Sequence, residues 1–308
     1  MTQAEGVAGD TRTAPAVDTA IIRVGTCAWG DHEEFYPAGL KSTDRITFYA
    51  QRFPVVEVNS SYYAIISPRN YAGWVDRTPD DFAFNVKAYG QLTQHRRDEP
   101  PTREAFAAFR ESYRPLVEAG KLRAVLFQFP PWFTDERKNR DYLKRVAEEM
   151  AGDDVVVEFR HNSWLAPDRV PATLGQLTEL GLGYVVVDAQ QIGNGTSPLV
   201  PAVTVPDLAY IRLHGRNTQT WYKKVANTGE RFDYLYSAEE LSEWAPRVRE
   251  LAARAKEVHV MFNNNRRNYA TANAEMMVRL LGLVDRLPDT DQGLQLPLID
   301  DGSPARDA

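Results

Sequence analysis

The chain has 308 residues, of which 43% are hydrophobic and 25% are charged, the composition of an ordinary globular protein. Its formal net charge of −6 lies at the two ends: residues 1–20 contribute −2, residues 289–308 contribute −4, and the part between them is neutral. A neutral central part does not indicate general affinity for polyanions, and no run of about 18 apolar residues predicts a membrane span.

The two ends differ in composition from the rest of the chain. Residues 1–20 predict a disordered leader and residues 289–308 an acidic flexible tail, which leaves residues 21–288 as one folded domain. The leader lacks the basic and apolar segments of a signal peptide. The single cysteine, Cys27, excludes an internal disulfide and is typical of a reducing compartment, so we expect a cytoplasmic protein.

Eight short runs rich in Val, Ile, Phe and Tyr have the length of β-strands. In chain order they are Ile21–Thr26, Val55–Ser60, Ala83–Lys87, Ala124–Phe129, Val155–Arg160, Tyr184–Ala189, Ala209–Gly215 and Val258–Asn264.

Most of the gaps between these runs have helical spacing of apolar residues and capping residues at their ends. The predicted helices lie within residues 42–53, 102–120, 135–152, 171–181, 238–255 and 271–287. Residues 191–207 are too rich in Gly and Pro for a good helix and predict an irregular sixth crossover.

Strands that alternate with helices over about 270 residues predict a single (β/α)₈ TIM barrel. An open, doubly wound sheet is the alternative. No strand is followed by a Gly-rich dinucleotide fingerprint or a P-loop, so no nucleotide-binding fold is indicated.

Polar residues lie at the carboxyl ends of the predicted strands, where the active sites of such barrels are built. When the strongly apolar face of each strand is turned toward the helices, the opposite face carries Glu57, Asn59, Lys87, Gln128, Glu158, Arg160, Asp188, Arg212, His214 and Asn263. We therefore expect one ring of charged and amide groups at one opening of the barrel. An ion-pair network that only stabilises the barrel is the competing interpretation.

This ring predicts acid–base chemistry on a polar small molecule. Glu57, Glu158, Asp188 and His214 are the candidate catalytic residues, because carboxylates that share a pocket should raise at least one pKa. Lys87, Arg160 and Arg212 would hold an anion. Asn59, Gln128 and Asn263 would orient the substrate through hydrogen bonds.

The remaining histidines and the cysteine are weaker candidates for catalytic or metal-binding roles. His259 lies deeper in its strand and is expected to be a hydrogen-bonded interior histidine, while His32 and His95 lie in loops. No motif with metal-ligand spacing is present, so we predict neither a metal nor a cofactor. Cys27 has no adjacent base, which favours a buried thiol over a nucleophile.

The loops after the strands carry aromatic residues and basic pairs. Tyr63 and Trp164 are candidate substrate contacts among them, and Arg96–Arg97, Lys223–Lys224 and Arg266–Arg267 are the basic pairs. Aromatic rings beside cations suit sugars, bases or phosphates. The same loops hold many acidic residues, so binding of nucleic acid is only weakly indicated.

Several motifs together resemble the YecE-like proteins, also known as domain of unknown function 72. They are VGTCAW, VEVNSSYY, FNVKAYGQLTQHRR, FQFPPWF, VEFRHNSW, YVVVDA, IRLHGRN and FNNN, in this order from about Val24 to Leu287. The resemblance implies a TIM barrel similar to those of xylose isomerase and endonuclease IV, and it adds Asn264 to the candidate substrate contacts. It implies no established reaction. The chain has Cys27 and Ala28 where the family usually has Ser and Gly.

Three functions therefore stay open. The first is a metal-independent hydrolase, isomerase or lyase that acts on an anionic or sugar-like small molecule. The second is a protein that binds or processes nucleic acid. The third is a non-catalytic barrel that senses a metabolite or binds a partner protein. The sequence does not predict the oligomeric state.

Overall fold

Eight parallel strands form a closed barrel in a computed structural model that describes residues 20–191, 193–195, 197–218 and 233–284. The strands are β1 (Ile21–Cys27), β2 (Val55–Val58), β3 (Ala83–Lys87), β4 (Leu122–Gln128), β5 (Val155–Glu158), β6 (Gly183–Asp188), β7 (Leu208–Leu213) and β8 (Glu257–Phe262). Each strand pairs with the next along the chain, and β8 closes the barrel on β1. The predicted (β/α)₈ barrel is confirmed, and the open sheet is wrong.

Seven α-helices follow these strands within the described residues. They are α1 (Arg45–Ala50), α2 (Pro68–Val75), α3 (Arg103–Glu118), α4 (Arg137–Glu149), α5 (Val170–Glu179), α6 (Ala238–Ala252) and α7 (Tyr269–Leu281). The described part of residues 191–207 contains no helix, as its Gly and Pro content predicts. None of the described helices is long and apolar enough to cross a membrane.

Local sequence sets where several helices begin. Ser237 starts α6 with a capping box, because its hydroxyl accepts from the Glu240 amide while the Glu240 carboxylate accepts from the Ser237 amide. The Ser67 side chain caps the start of α2, and Pro68 fixes the backbone at the first helical position. The sequence did not predict α2, because Pro68 and Gly73 weaken its helical pattern.

The hydrophobic core has two layers. The outer layer lies between strands and helices and holds most of the aromatic residues, while the inner layer fills the barrel with smaller side chains such as Ala83, Ala124 and Val156. At the amino-terminal end of the barrel, Glu257 accepts from Arg23 at 2.5 Å and contacts His259 at 2.8 Å. Both ring nitrogens of His259 have partners, which confirms it as a hydrogen-bonded interior histidine.

The leader, the acidic tail and the pair Lys223–Lys224 lie outside the described residues.

Candidate functional site

Arg212 on β7 joins two carboxylates at the carboxyl-terminal end of the barrel. Its Nη2 lies 2.7 Å from Glu57 Oε1, and its Nη1 lies 2.5 Å from Glu158 Oε2. All three side chains are buried. A buried ion requires this kind of pairing, because an unpaired buried charge costs several kcal/mol.

Two further side chains contact Glu158. Arg160 Nε lies 2.5 Å from Glu158 Oε1, and His214 Nε2 lies 3.2 Å from the same oxygen. We call Glu57, Glu158, Arg160, Arg212 and His214 the buried network. These five members of the predicted ring meet, although they come from three different strands and the residues that follow them.

The charges of the network set the ionisation of its members. Burial alone would raise the pKa of Glu158, but the guanidinium groups of Arg160 and Arg212 hold it well below its ordinary value. The sequence predicts that at least one of the carboxylates has a raised pKa; Glu158 is not that group, because Arg212 lies between it and Glu57. Glu158 is a permanent anion at neutral pH.

His214 is neutral in this setting. Burial and the adjacent Arg160 cation lower its pKa to about 3. Asn263 Nδ2 lies 2.8 Å from His214 Nδ1, which makes Nδ1 the acceptor and leaves the ring proton on Nε2, toward Glu158. His214 thus orients the carboxylate without adding a charge.

Glu57 is held from a second side. The Tyr210 hydroxyl donates to Glu57 Oε2 at 2.9 Å, and the Cys27 thiol lies 3.6 Å from Arg212 Nη2. Burial and the Glu57 carboxylate raise the pKa of Cys27 well above its ordinary value. The thiol is therefore a poor nucleophile, as the sequence predicts.

Lys87 at the end of β3 differs from these paired groups. Its Nζ lies 4.6 Å from the centre of the Tyr62 ring, and among the residues that the structure describes no carboxylate is close enough to form an ion pair with it. Burial and the Arg212 cation lower the pKa of Lys87 to about 8. Its charge therefore changes close to neutral pH.

A cavity of about 1020 Å³ opens beside Lys87 at the mouth of the barrel. Its lining combines polar and apolar surface and includes Ala28, Trp29, Asp31, Glu33, Glu34, Asn59, Tyr63, Lys87, Asn263, Asn265, Arg266 and Arg267. The acidic members follow β1, whereas the basic members lie at the end of β3 and after β8. Because β8 pairs with β1, the acidic loop and the two arginines adjoin each other, and the cavity has a rim of mixed charge that suits a polar ligand.

Two amides beside the cavity have unused hydrogen-bonding capacity. Asn59 Oδ1 and Asn265 Oδ1 are buried and have no hydrogen-bond partner among the described residues, although Asn265 Nδ2 donates to the Cys27 carbonyl at 2.6 Å. Leaving such an atom unpaired costs about 1–3 kcal/mol. Both residues line the cavity, but these oxygens are themselves shielded from it, so each amide must turn before a ligand hydroxyl can donate to it.

The backbone is strained around the same cavity. Ala28 has φ 75°, Arg267 has φ 52° and Gln94, next to His95, has φ 59°. Ala28 and Arg267 line the cavity. Non-glycine residues with positive φ are uncommon and cluster at functional sites, where the fold offsets their cost of about 1–3 kcal/mol.

Asp188 does not belong to this group, and its predicted orientation is wrong. Trp244 Nε1 on α6 donates to Asp188 Oδ2 at 2.6 Å, and Arg216 binds the same carboxylate at 2.7 and 2.9 Å. The interior face of β6 carries Val185 and Val187 instead. Both faces of β6 are apolar, so the pattern of apolar residues does not show which face Asp188 occupies. The sequence therefore predicts the wrong face for it.

The remaining predicted contacts divide between cavity and core. Tyr63 lines the cavity and is 66% exposed, and Gln128 Oε1 accepts from Arg212 Nη1 at 3.3 Å. Trp164 is fully buried and stacks on Phe159, so its position contradicts a role at the mouth.

Asn264 also lies away from the cavity lining. Its Nδ2 donates to the Tyr234 carbonyl and to Asn273 Oδ1, both at 2.8 Å, which ties the end of β8 to α7. The residue is fully buried. This position contradicts the substrate contact that the family resemblance implies, and it assigns Asn264 to the scaffold.

His95 lies close to the site, although the sequence places it only in a loop. Burial and the cations Lys87 and Arg160 lower its pKa to about 4, so its ring is neutral and lies near both of them. The ring packs edge-on against Tyr62 at 5.0 Å. No periodic pattern marks a loop position of this kind, whereas Tyr210 could have been found on the inward face of β7.

Among the described residues, no group of three or more His, Cys, Asp or Glu side chains is arranged to hold a metal ion.

The chain is similar to proteins of one family. A family model described as "Protein of unknown function DUF72" matches residues 23–294. The UPF0759 protein YunF of Bacillus subtilis (strain 168) is 38% identical over 269 residues, which cover 85% of this chain and 95% of that protein.

Two crystal structures of DUF72 family proteins have the same fold. The protein from Enterococcus faecalis V583 is 31% identical with a TM-score of 0.78, and the match covers 85% of this chain and 96% of that one. The protein from Thermotoga maritima MSB8 is 35% identical with a TM-score of 0.75, covering 85% and 99% respectively.

Proposed function

This chain belongs to the DUF72 family, whose function is not established, and from its site we propose that it is an enzyme that performs acid–base chemistry on a polar, anionic or sugar-like small molecule. The reaction takes place at the carboxyl-terminal mouth of the barrel and needs no metal ion. The single observation that carries this proposal is the Lys87 amine, which lines the cavity and has a pKa lowered to about 8.

Lys87 and the members of the buried network differ in how close their pKa values lie to neutral pH. A group that moves protons works best when its pKa is near the operating pH. Glu158 and His214 do not meet this condition, because their pKa values lie well below neutrality. Lys87 does meet it, so the general base is Lys87. Burial lowers its pKa most and the Arg212 and Arg160 cations of the network lower it further, against the opposite effect of Glu57 and Glu158.

Substrate binding follows from the cavity lining. Arg266 and Arg267 attract an anionic group at the rim, while the Asn59 and Asn265 amides accept hydrogen bonds from hydroxyl groups. Tyr63 offers an exposed ring to the apolar face of a sugar. A small polyhydroxylated anion satisfies all three features.

The test is a screen of the full chain in the presence of a chelator. Sugar phosphates, sugar acids and oxo acids are tested for thermal stabilisation and for turnover, with wild type, Lys87→Met and the exposed control Lys144→Met. We expect one compound to be turned over by wild type and by Lys144→Met, and bound but not turned over by Lys87→Met. Turnover at the wild-type rate in Lys87→Met, or turnover only after addition of a metal, would contradict the proposal.

Binding of single-stranded nucleic acid is a second candidate. One observation favours it: Trp132 is 44% exposed, Arg97 lies 4.4 Å from the centre of its ring, and the exposed Tyr63 is bonded through its carbonyl to Arg96. Stacked bases and phosphates suit such a cluster. It predicts oligonucleotide affinity that falls steeply with salt and that is lost in Trp132→Ala; salt-independent binding would refute it.

A further inference from the structure

We propose that Lys87 is a nucleophile that forms an imine with the carbonyl carbon of an anionic, hydroxylated aldehyde or ketone bound in the cavity. This inference rests on the proposed function, since it uses the same cavity, but it assigns a covalent step and a substrate class.

The surroundings of Lys87 differ from those of a structural lysine. Lys121 is a useful comparison within the same chain: its Nζ is held by the carbonyls of Val75 and Thr78, both at 2.9 Å, and by the Thr78 hydroxyl at 3.1 Å. Lys87 Nζ has the face of Tyr62 beside it and reaches the cavity. Within the described part of the chain no acceptor holds this amine, which leaves it available to attack a ligand.

The buried network keeps this amine from being trapped as an ion pair. Glu57 and Glu158, the nearest acidic members, are already bonded to Arg212. The positive charges of Arg212 and Arg160 disfavour the ammonium form, as burial does. With a pKa of about 8, roughly one tenth of the amine is neutral and nucleophilic at pH 7.

The step balances without an oxidant or a reductant. The neutral amine nitrogen attacks the carbonyl carbon, a C–N bond forms, and the carbonyl oxygen becomes the hydroxyl of a carbinolamine. The C–O bond then breaks, and the oxygen leaves as water with the two protons that the amine nitrogen loses. The cavity is open, so solvent reaches Lys87 and can carry these protons from the nitrogen to the oxygen.

The cavity lining selects the substrate class. Asn59 and Asn263 line the same cavity as Lys87 and provide amides for the carbonyl oxygen and an adjacent hydroxyl, although Asn263 Nδ2 also donates to His214 Nδ1. Arg267 lines the same cavity, as does Arg266, whose Nε lies 3.7 Å from Asp233 Oδ2, and these rim arginines bind a carboxylate or phosphate of the ligand. A hydroxylated oxo acid or a sugar phosphate carries these groups, whereas a neutral aliphatic aldehyde lacks them.

Reductive trapping tests the inference directly. The full chain at pH 7 is incubated separately with hydroxypyruvate, dihydroxyacetone phosphate and glyceraldehyde 3-phosphate, each with sodium cyanoborohydride, which delivers hydride to the imine carbon and leaves a stable secondary amine. Propanal is the neutral control. Peptide mass spectrometry then gives the modified fraction of each lysine.

We expect Lys87 to be modified at least about tenfold faster than the exposed Lys138 and Lys144, because each unit by which a pKa is lowered increases the neutral fraction tenfold. Propanal should keep the part of this preference that the neutral fraction gives, but it should lose the further increase that binding of an anionic group in the cavity provides. Equal modification of Lys87 and the exposed lysines by all three anionic carbonyls would overturn the imine.

Variants separate this inference from the proposed function. Lys87→Met should remove the preferred adduct and leave modification of Lys144 unchanged, and a wild-type circular dichroism spectrum shows that the variant is folded. Lys87-dependent turnover of a screened compound without any trapped adduct would overturn the imine and leave the acid–base function standing. A Lys87 adduct combined with turnover that survives Lys87→Met would support the imine and overturn the acid–base function.

Discussion

At the scale of single residues, Glu158 connects more of the site than any other carboxylate described above. It contacts Arg160, Arg212 and His214, and it is fully buried. The two arginines are held in place by this one anion and by Glu57. The position of the cations that lower the pKa of Lys87 therefore depends on Glu158.

Replacement of Glu158 by Gln should cost about 3–5 kcal/mol in the free energy of unfolding, because it leaves two buried guanidinium groups short of a counter-ion. Urea denaturation measures this value. Glu111→Gln is the matched control: Glu111 pairs with Arg114 on the surface, where both side chains are more than half exposed, so it should change stability by less than about 0.5 kcal/mol. Equal small effects of both variants would show that the network does not depend on Glu158.

Residue-scale prediction from sequence worked where one face of a strand was clearly apolar. Glu57, Glu158 and Arg212 were placed correctly because alternate residues of β2, β5 and β7 are strongly apolar. It failed for Asp188, since β6 is apolar on both faces. It also failed for loop residues such as His95, whose positions depend on the path of the backbone.

At the scale of elements, β1 and β2 approach so closely that only glycine fits between them at one point. A Cβ atom added to Gly25 would lie 2.1 Å from the Val55 carbonyl oxygen. This contact lies just before Cys27, which pairs in register with Glu57. The spacing of these strands thus places the buried network.

Gly25→Ala should destabilise the protein by about 1–3 kcal/mol or more, because the backbone of β2 cannot move away cheaply. Gly73→Ala in α2 is the matched control: no atom lies within 4 Å of its added Cβ, and alanine in a helix interior should stabilise by about 0.5–1 kcal/mol. Thermal and urea unfolding of both variants give the values. Tolerance of Gly25→Ala would contradict the close approach of β1 and β2.

Element-scale prediction was good for strand order and poorer for connections. The strands were recognised because their β-branched and aromatic runs are distinct, and parallel closure follows from strand–helix alternation. Helix α2 was missed, and several strands end before the predicted residue: β5 ends at Glu158, so Arg160 lies in the following loop. Such ends depend on hydrogen bonds between strands, which the sequence does not show.

At the scale of the whole molecule, charged groups at both ends of the barrel make stability depend on pH. Burial would raise the pKa of Glu257, but hydrogen bonds from His259 and Arg23 lower it to about 2. Burial lowers the pKa of His214 to about 3. In each case the unfolded chain binds protons more readily than the folded one at acid pH, so folding weakens as pH falls.

The free energy of unfolding should therefore decline from about pH 6.5, where the unfolded histidine begins to titrate, and should fall further between about pH 4.5 and 2 through Glu257. Glu257→Gln should lower stability at pH 7 and flatten the curve below pH 4.5, whereas Glu111→Gln should leave the slope unchanged. Urea unfolding across this pH range measures both effects. A wild-type curve that is flat from pH 6.5 to 2 would contradict this assignment.

The account as a whole requires that Lys87 titrates near neutrality at the mouth of the barrel. The most direct measurement is the titration of the lysine side-chain ¹³Cε resonances by NMR from about pH 6 to 11, with Lys87→Met used to assign the signal. We predict a midpoint for Lys87 at about 8. A midpoint near the ordinary lysine value of about 10.4 would contradict the account, because the amine would then be fully charged wherever the enzyme is expected to work.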